Sequence, residues 1–163
     1  MLVVANDLAR SLAGIAQRCP QADEDCLIAA VEMLQECREK QVVVIDDVGE
    51  VLALYRSKMS GSGQPGSGDA FFRYLSESQY NPKRVGRVAI NKHAVRGYEE
   101  FPDSDHLQDF DSDDRIYVAI ALAGGPAEIV NCVDSDWTIF GRGLQAAGVR
   151  VRELCPSCVK STS

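Results

Sequence analysis

The chain has 163 residues and a net charge of −7, with 45% apolar and 25% charged side chains. That length suits one domain with one core, and the composition excludes disordered, collagen-like and membrane-spanning classes. The acidic balance excludes a broadly basic nucleic-acid binder. The N-terminus MLVVANDLAR has neither a basic start nor a long apolar stretch, so cytoplasm is the expected compartment, with no membrane partner.

Residues 2–5 (LVVA) read as a short buried strand, ended by Asn6 and Asp7. A helix is expected over 8–18 and a second over 23–39. Leu27, Ala30, Val31 and Leu34 give the second an apolar face at i, i+3, i+4, i+7, and Asp23, Glu24 and Asp25 sit where the helix dipole favours negative charge. The β-branched run VVVI before Asp46 and Asp47 reads as a strand, and Val51, Leu52, Leu54 and Tyr55 as part of the next helix. The Gly- and Ser-rich stretch 60–68 is a loop, and Asp69 is placed as the N-cap of a helix over 69–79. VGRVAI at 85–90 is a strand. Asp113 or Asp114 caps a helix that Gly124 and Gly125 stop. IVNCV at 129–133 is a buried strand, a helix is expected over 140–147, and VRVREL at 149–154 closes the series.

Strands alternating with helices through short connections imply an α/β fold: a three-layer α/β/α sandwich around a mostly parallel, five-stranded sheet. One domain over 1–154 is expected, with 155–163 as a short polar tail.

Ligands in such sheets bind beyond the carboxyl ends of the strands. Asp7 follows the first strand, Asp46 the second, and Asp134 and Asp136 the fourth. Asp114 heads the helix before the fourth strand, at the same sheet edge. Charge is also concentrated locally: residues 99–114 hold eight of the 24 acids and no Lys or Arg. Each of these acids alone is a common cap or turn residue. Together they repel unless a cation compensates. Hard divalent ions such as Mg²⁺ or Mn²⁺ take oxygen ligands and activate bound water towards phosphoesters.

The segment DRIYVAIALAGGPAEIVNCVDSDW at 114–137 resembles the C-terminal half of PIN domains. There, an Asp opens a helix with small inner residues, and the following buried strand ends in an Asp, with a second Asp two residues on and then an aromatic. Here these are Asp114, Ala119, Ala121, Asp134, Asp136 and Trp137. VVAND at 3–7 and the segment 43–56 match more loosely. Asn6 stands where an acid is usual and Leu54 where an acid beside Tyr55 is usual, with Asp46 or Glu50 as substitutes. Residues 63–75 are similar to a loop and helix in bacterial PIN-like proteins. The resemblance implies a Mg²⁺- or Mn²⁺-dependent endoribonuclease, of toxin or defence type. Asp114 and Asp134 would ligate the metal, Asp136 would orient water or a second ion, and Asp46 and Asp7 would complete the site. RNA would be the substrate, a protein inhibitor or antitoxin a partner, and a homodimer the assembly. A catalytically degenerate module that binds RNA or a protein without cutting stays open, as does a phosphatase or flap-type DNA nuclease on the same scaffold.

Lys83, Arg84, Arg87, Lys92 and Arg96 form a basic run suited to phosphate contacts, or to a solvated surface. Six cysteines in a cytosolic chain predict no disulfide, and Cys26, Cys37 and Cys132 read as small buried hydrophobes. The pair Cys155 and Cys158 supplies at most two of four zinc ligands. A redox role or an incidental pair are its other readings, and Cys19 with Cys26 is the remaining source of ligands. His93 and His106 both fall in loops, and no P-loop or catalytic-triad pattern is present.

Overall fold

The computed structural model describes residues 1–4, 23–59, 66–125 and 127–158. The helix expected over 8–18, together with Asn6, Asp7 and Cys19, lies outside the described residues. The elements are β1 (Leu2–Val4), α1 (Glu24–Glu39), β2 (Val43–Asp46), α2 (Glu50–Lys58), α3 (Ser67–Ser78), β3 (Val85–Val88), β4 (Lys92–His93), β5 (Gly97–Tyr98), a 3₁₀ turn (Asp105–Leu107), α4 (Arg115–Ala123), β6 (Glu128–Asn131), α5 (Asp136–Ile139), α6 (Gly141–Ala146) and β7 (Arg150–Glu153).

Five strands form one parallel sheet in the order β3-β2-β1-β6-β7, flanked by helices as a three-layer sandwich. Val43 to Asp46 pair in register with Val85 to Val88, and Glu128 to Asn131 with Arg150 to Glu153. Every residue of β1 and β2 is buried, as expected where both faces of a parallel sheet are covered. The outer strands β3 and β7 are half-exposed and carry Arg87, Arg150, Arg152 and Glu153, charges that discourage pairing with another sheet.

The central helix α4 is apolar almost all round. Ile116 to Ala121 are buried without a break, and the helix packs against β1, β2, β6 and β5. Gly124 stops it close to the sheet, where a Cβ would come within 3.3 Å of the Val44 and Val88 side chains. The α1 face turns differently from the periodicity reading. Cys26, Ala30, Met33, Leu34 and Cys37 are buried, whereas Val31 is 42% exposed. Cysteine and methionine, weak entries in an apolar pattern, define that buried stripe. Burial pushes the Cys37 thiol up to about 12, so it packs as a neutral group.

Two expected boundaries move for identifiable reasons. The α3 helix begins at Ser67 because Asp69 sits at its third position and accepts the Gly66 amide at 2.7 Å, capping the helix from inside. The expected helix over 140–147 is α6, and a separate short helix, α5, precedes it and ends at Phe140.

Just before the acidic stretch lies an antiparallel pair, β4 with β5, that no alternation in its sequence announces. Arg115 fastens this stretch to α4. Its guanidinium donates to the carbonyls of Gln108 at 2.6 Å, Phe110 at 3.1 Å and Arg96 at 3.3 Å, and it stacks over the Phe101 ring at 4.8 Å. Phe110 then joins the stretch to the C-terminal half, edge-on to Trp137 at 5.1 Å and to Phe140 at 5.5 Å.

Residues 155–158 are not a free polar tail: Cys155 and Cys158 are buried. Cys155 is bonded to Cys26 across a sequence separation of 129, which overturns the expectation of no disulfide. The sheet brings the end of β7 beside the end of β6, and α1 starts against both.

No helix among the described residues is long and apolar enough to cross a membrane.

Candidate active site at the carboxyl rim of the sheet

From β1 the chain runs outward to β2 and β3, then returns to β6 on the other side of β1. This reversal puts the switch point of the sheet at the carboxyl ends of β1 and β6, the place where open parallel sheets bind ligands. Asp134 and Asp136 follow β6 directly. Asp114 holds the N-cap position of α4 and is 7% exposed. Because α4 leads into the start of β6, its N-terminus lies at this same rim.

The segments carrying these acids are held by backbone contacts. Asp134 Oδ1 accepts the Asp136 amide at 2.9 Å, and its carbonyl accepts Asn131 Nδ2 at 2.8 Å. Asn131 is fully buried and also donates to Glu153 Oε2 at 2.6 Å, so the end of β6 is pinned to β7. On the facing stretch, the Asp114 amide donates to the Asp111 carbonyl at 3.1 Å, and the Asp113 amide to Asp111 Oδ1 at 2.9 Å. Loss of surrounding water, and then the neighbouring carboxylates of Asp134 and Asp111, hold the Asp136 carboxyl above its usual range. Asp111 thereby joins the rim. Sequence position pointed only to the acidic stretch as a whole, not to this member of it.

Asp46 has a different place. It is fully buried, and its oxygens accept the amides of Val48 at 3.2 Å, Glu50 at 2.8 Å and Val51 at 2.8 Å. The chain turns into α2 through Gly49 at φ +84°, a conformation that favours glycine, and the turn folds those amides back onto Asp46. Both Asp46 oxygens, expected among the metal ligands, are thus engaged in capping α2. Glu50, its alternative, accepts Tyr98 Oη at 3.0 Å and pairs with Lys92. Glu50 and Leu54 line one wall of a cleft of about 330 Å³, and Tyr98, Ser112, Asp113 and Ile116 line the other.

The basic run divides. Lys83 and Arg84 precede β3 and so lie at the amino edge of the sheet, away from the acids; Arg84 stacks on Tyr74 at 5.9 Å. Arg87 donates to the Asp47 carbonyl and lies 4.7 Å over the Tyr80 ring. Lys92 and Arg96 flank the carboxyl rim, Lys92 beside Glu50 and Arg96 3.6 Å from Asp103. His93 Nδ1 accepts the amides of Val95 and Arg96 and shapes the β4–β5 turn, while His106 is exposed.

Among the described residues, the group of three potential ligands close enough to share one ion is Cys26, Cys132 and Cys155, all buried. No three carboxylates among them meet that condition, and Asp7 lies outside the described residues. No protein-family model, curated protein or solved structure matches this chain.

Proposed function

We propose that the chain is a divalent-metal-dependent endoribonuclease acting at the carboxyl rim of its sheet. The observation that carries this reading is the gathering of Asp134 and Asp136, just after β6, with Asp111 and Asp114 at the head of α4, around the point where the strand order reverses. A Mg²⁺ or Mn²⁺ ion there would offset carboxylate repulsion, polarise a phosphodiester and lower the pKa of bound water. Asp134 and Asp114 are the residues suited to hold it. Asp136, whose proton is retained to higher pH than usual, is suited to accept a proton from water or to orient it. Lys92 and Arg96 supply positive charge beside the rim for a polyanion.

The test is cleavage of a mixed RNA panel by the full chain with Mn²⁺, alongside single-stranded DNA, flap DNA and a phosphomonoester. Asp114→Ala and Asp134→Ala are expected to lose activity by more than about 100-fold, beyond the range seen for outer partners of a metal site. If the unaltered chain cuts none of the RNAs, the proposal fails.

A second reading, a module that binds RNA or a partner without cleaving, is favoured by one observation. The cleft wall presents Leu54 where an acid would strengthen ion binding, and its Glu50 is already engaged by Lys92 and Tyr98. Calorimetry separates the two, since only the nuclease reading requires Mn²⁺ binding at the rim.

A further inference from the structure

Three sulfurs meet in the interior, on segments remote from one another in sequence. Cys26 sits in the first turn of α1, Cys132 directly after β6, and Cys155 shortly after β7; they are 3%, 0% and 3% exposed. The sheet fixes two of these positions. Asn131 pairs with Glu153, and the Leu154 amide donates to the Asn131 carbonyl at 3.0 Å, so Cys132 and Cys155 leave neighbouring strands at the same rim. The N-cap bond from the Cys26 amide to Asp23 Oδ1, at 2.8 Å, fixes the third.

Cys26 and Cys155 are bonded in the structure, and Cys132 Sγ lies 3.7 Å from each of their sulfurs. These equal distances place Cys132 beside the disulfide rather than on its extension. Thiol–disulfide exchange needs attack along the sulfur–sulfur axis, so internal reshuffling is poorly served. An ion bound by all three is well served. A tetrahedral zinc site with Zn–S bonds of about 2.3 Å has sulfur–sulfur edges of about 3.8 Å, which matches both distances from Cys132.

We propose that in the reduced chain Cys26, Cys132 and Cys155 form a zinc site, with the disulfide as its oxidised, metal-free form. Two molecules of a small thiol reduce the Cys26–Cys155 bond, leaving as their own disulfide and giving two cysteine thiols. Entry of Zn²⁺ then displaces the three thiol protons. The small disulfide runs the same exchange backwards, taking two electrons from Cys26 and Cys155 and expelling the ion. Soft thiolate ligands select zinc over magnesium and manganese, so this site does not compete with the carboxylate rim for its ion. The fourth corner is left to water or to Cys158, which is buried and closes the turn by donating its amide to the Cys155 carbonyl at 2.9 Å. Since Cys132 stands two residues before Asp134, the ion would tie the rim segment to α1 and to the end of β7. The proposal stands whether or not the chain cleaves RNA.

The experiment titrates the full chain, reduced and kept free of oxygen, with Co²⁺ as a visible probe and then with Zn²⁺. One equivalent of Co²⁺ is expected to bring up a thiolate-to-cobalt charge-transfer band and tetrahedral d–d bands, which Zn²⁺ abolishes. Cys26→Ser, Cys132→Ser and Cys155→Ser are each expected to weaken cobalt binding at least tenfold. Cys37→Ser, on the same helix but outside the cluster, is expected to keep it. Alkylation mapped by mass spectrometry needs no variant: zinc should shield Cys26, Cys132 and Cys155, and a chelator should expose them. Absence of the charge-transfer band in the reduced, unaltered chain, or alkylation of the three cysteines unaffected by zinc, overturns the proposal.

Discussion

The end of β6 serves two polar clusters that are built in opposite ways. Beyond it, Asp134 and Asp136 stand half-buried among like charges, and Asp134 Oδ1 accepts the Asp136 amide. Immediately after it, Cys132 enters the buried interior, where its sulfur lies 3.7 Å from those of Cys26 and Cys155. In the first cluster, partial burial and the neighbouring carboxylates together disfavour the charged form of Asp136. The second is uncharged while its sulfurs are bonded or protonated, and becomes a charged site only when a metal replaces the protons. Two positions along the chain, from Cys132 to Asp134, thus part the proposed sulfur site for a soft cation from the proposed oxygen site for a hard one.

The largest expected effect breaks the comparison from below. Phe110 is the apolar support under the rim, against Phe101, Trp137 and Phe140. Phe110→Ala should destabilise the fold by about 3–5 kcal/mol, read by urea denaturation. A cost under about 1 kcal/mol would mean that the acidic stretch is not braced through this ring. Next, Asp134 and Asp46 should separate function from fold. Asp46→Ala removes the acceptor of three amides and should cost about 2 kcal/mol. Asp134→Ala should abolish cleavage and move the denaturation midpoint little. Equal stability losses in the two variants would contradict the division of roles. The smallest effect concerns Asp136. Its carboxyl is held above the usual range, so the stability it confers is complete below the unfolded value of about 3.9 and is lost as pH rises through the folded value. At neutral pH its charge therefore opposes folding. Asp136→Asn should raise the melting temperature of the metal-free chain by the equivalent of up to about 1 kcal/mol, given screening by water. That gain should disappear in acid, and a gain that persists at pH 3 would place its origin outside this carboxyl.

Much of the scaffold was readable before any coordinates. The runs around Val43, Ile129 and Val151 end in Asp, Asn or Glu, and Gly124 and Gly148 stop helices, so strand order along the chain followed from local chemistry. Asp134 and Asp136 could likewise be placed just after a strand, whereas Asp111 stood out from the other acids of its stretch only once its neighbours were known. What the letters could not carry was direction. Whether Asp46 faces a ligand or folds back on the next helix depends on the turn through Gly49. Whether Lys83 and Lys92 share a face depends on which ends of β3 they flank. The sulfur cluster was the least readable, because its members are separated by 106, 23 and 129 residues. Only the sheet order and the docking of α1 bring them together, and cysteine contributes too little to an apolar pattern to mark the α1 face in advance.

The Arg115 clasp has its own consequence. It grips carbonyl oxygens, which every residue possesses, and not the carboxylates around it. The three bonds by which Arg115 holds residues 96–110 therefore do not depend on the side chains at Gln108, Phe110 or Arg96. Exchanging Glu99 or Asp109, both exposed, for neutral residues would change the electric field beside the rim while leaving these three bonds in place. That gives a handle on attraction or rejection of a polyanion that is independent of the rim acids themselves.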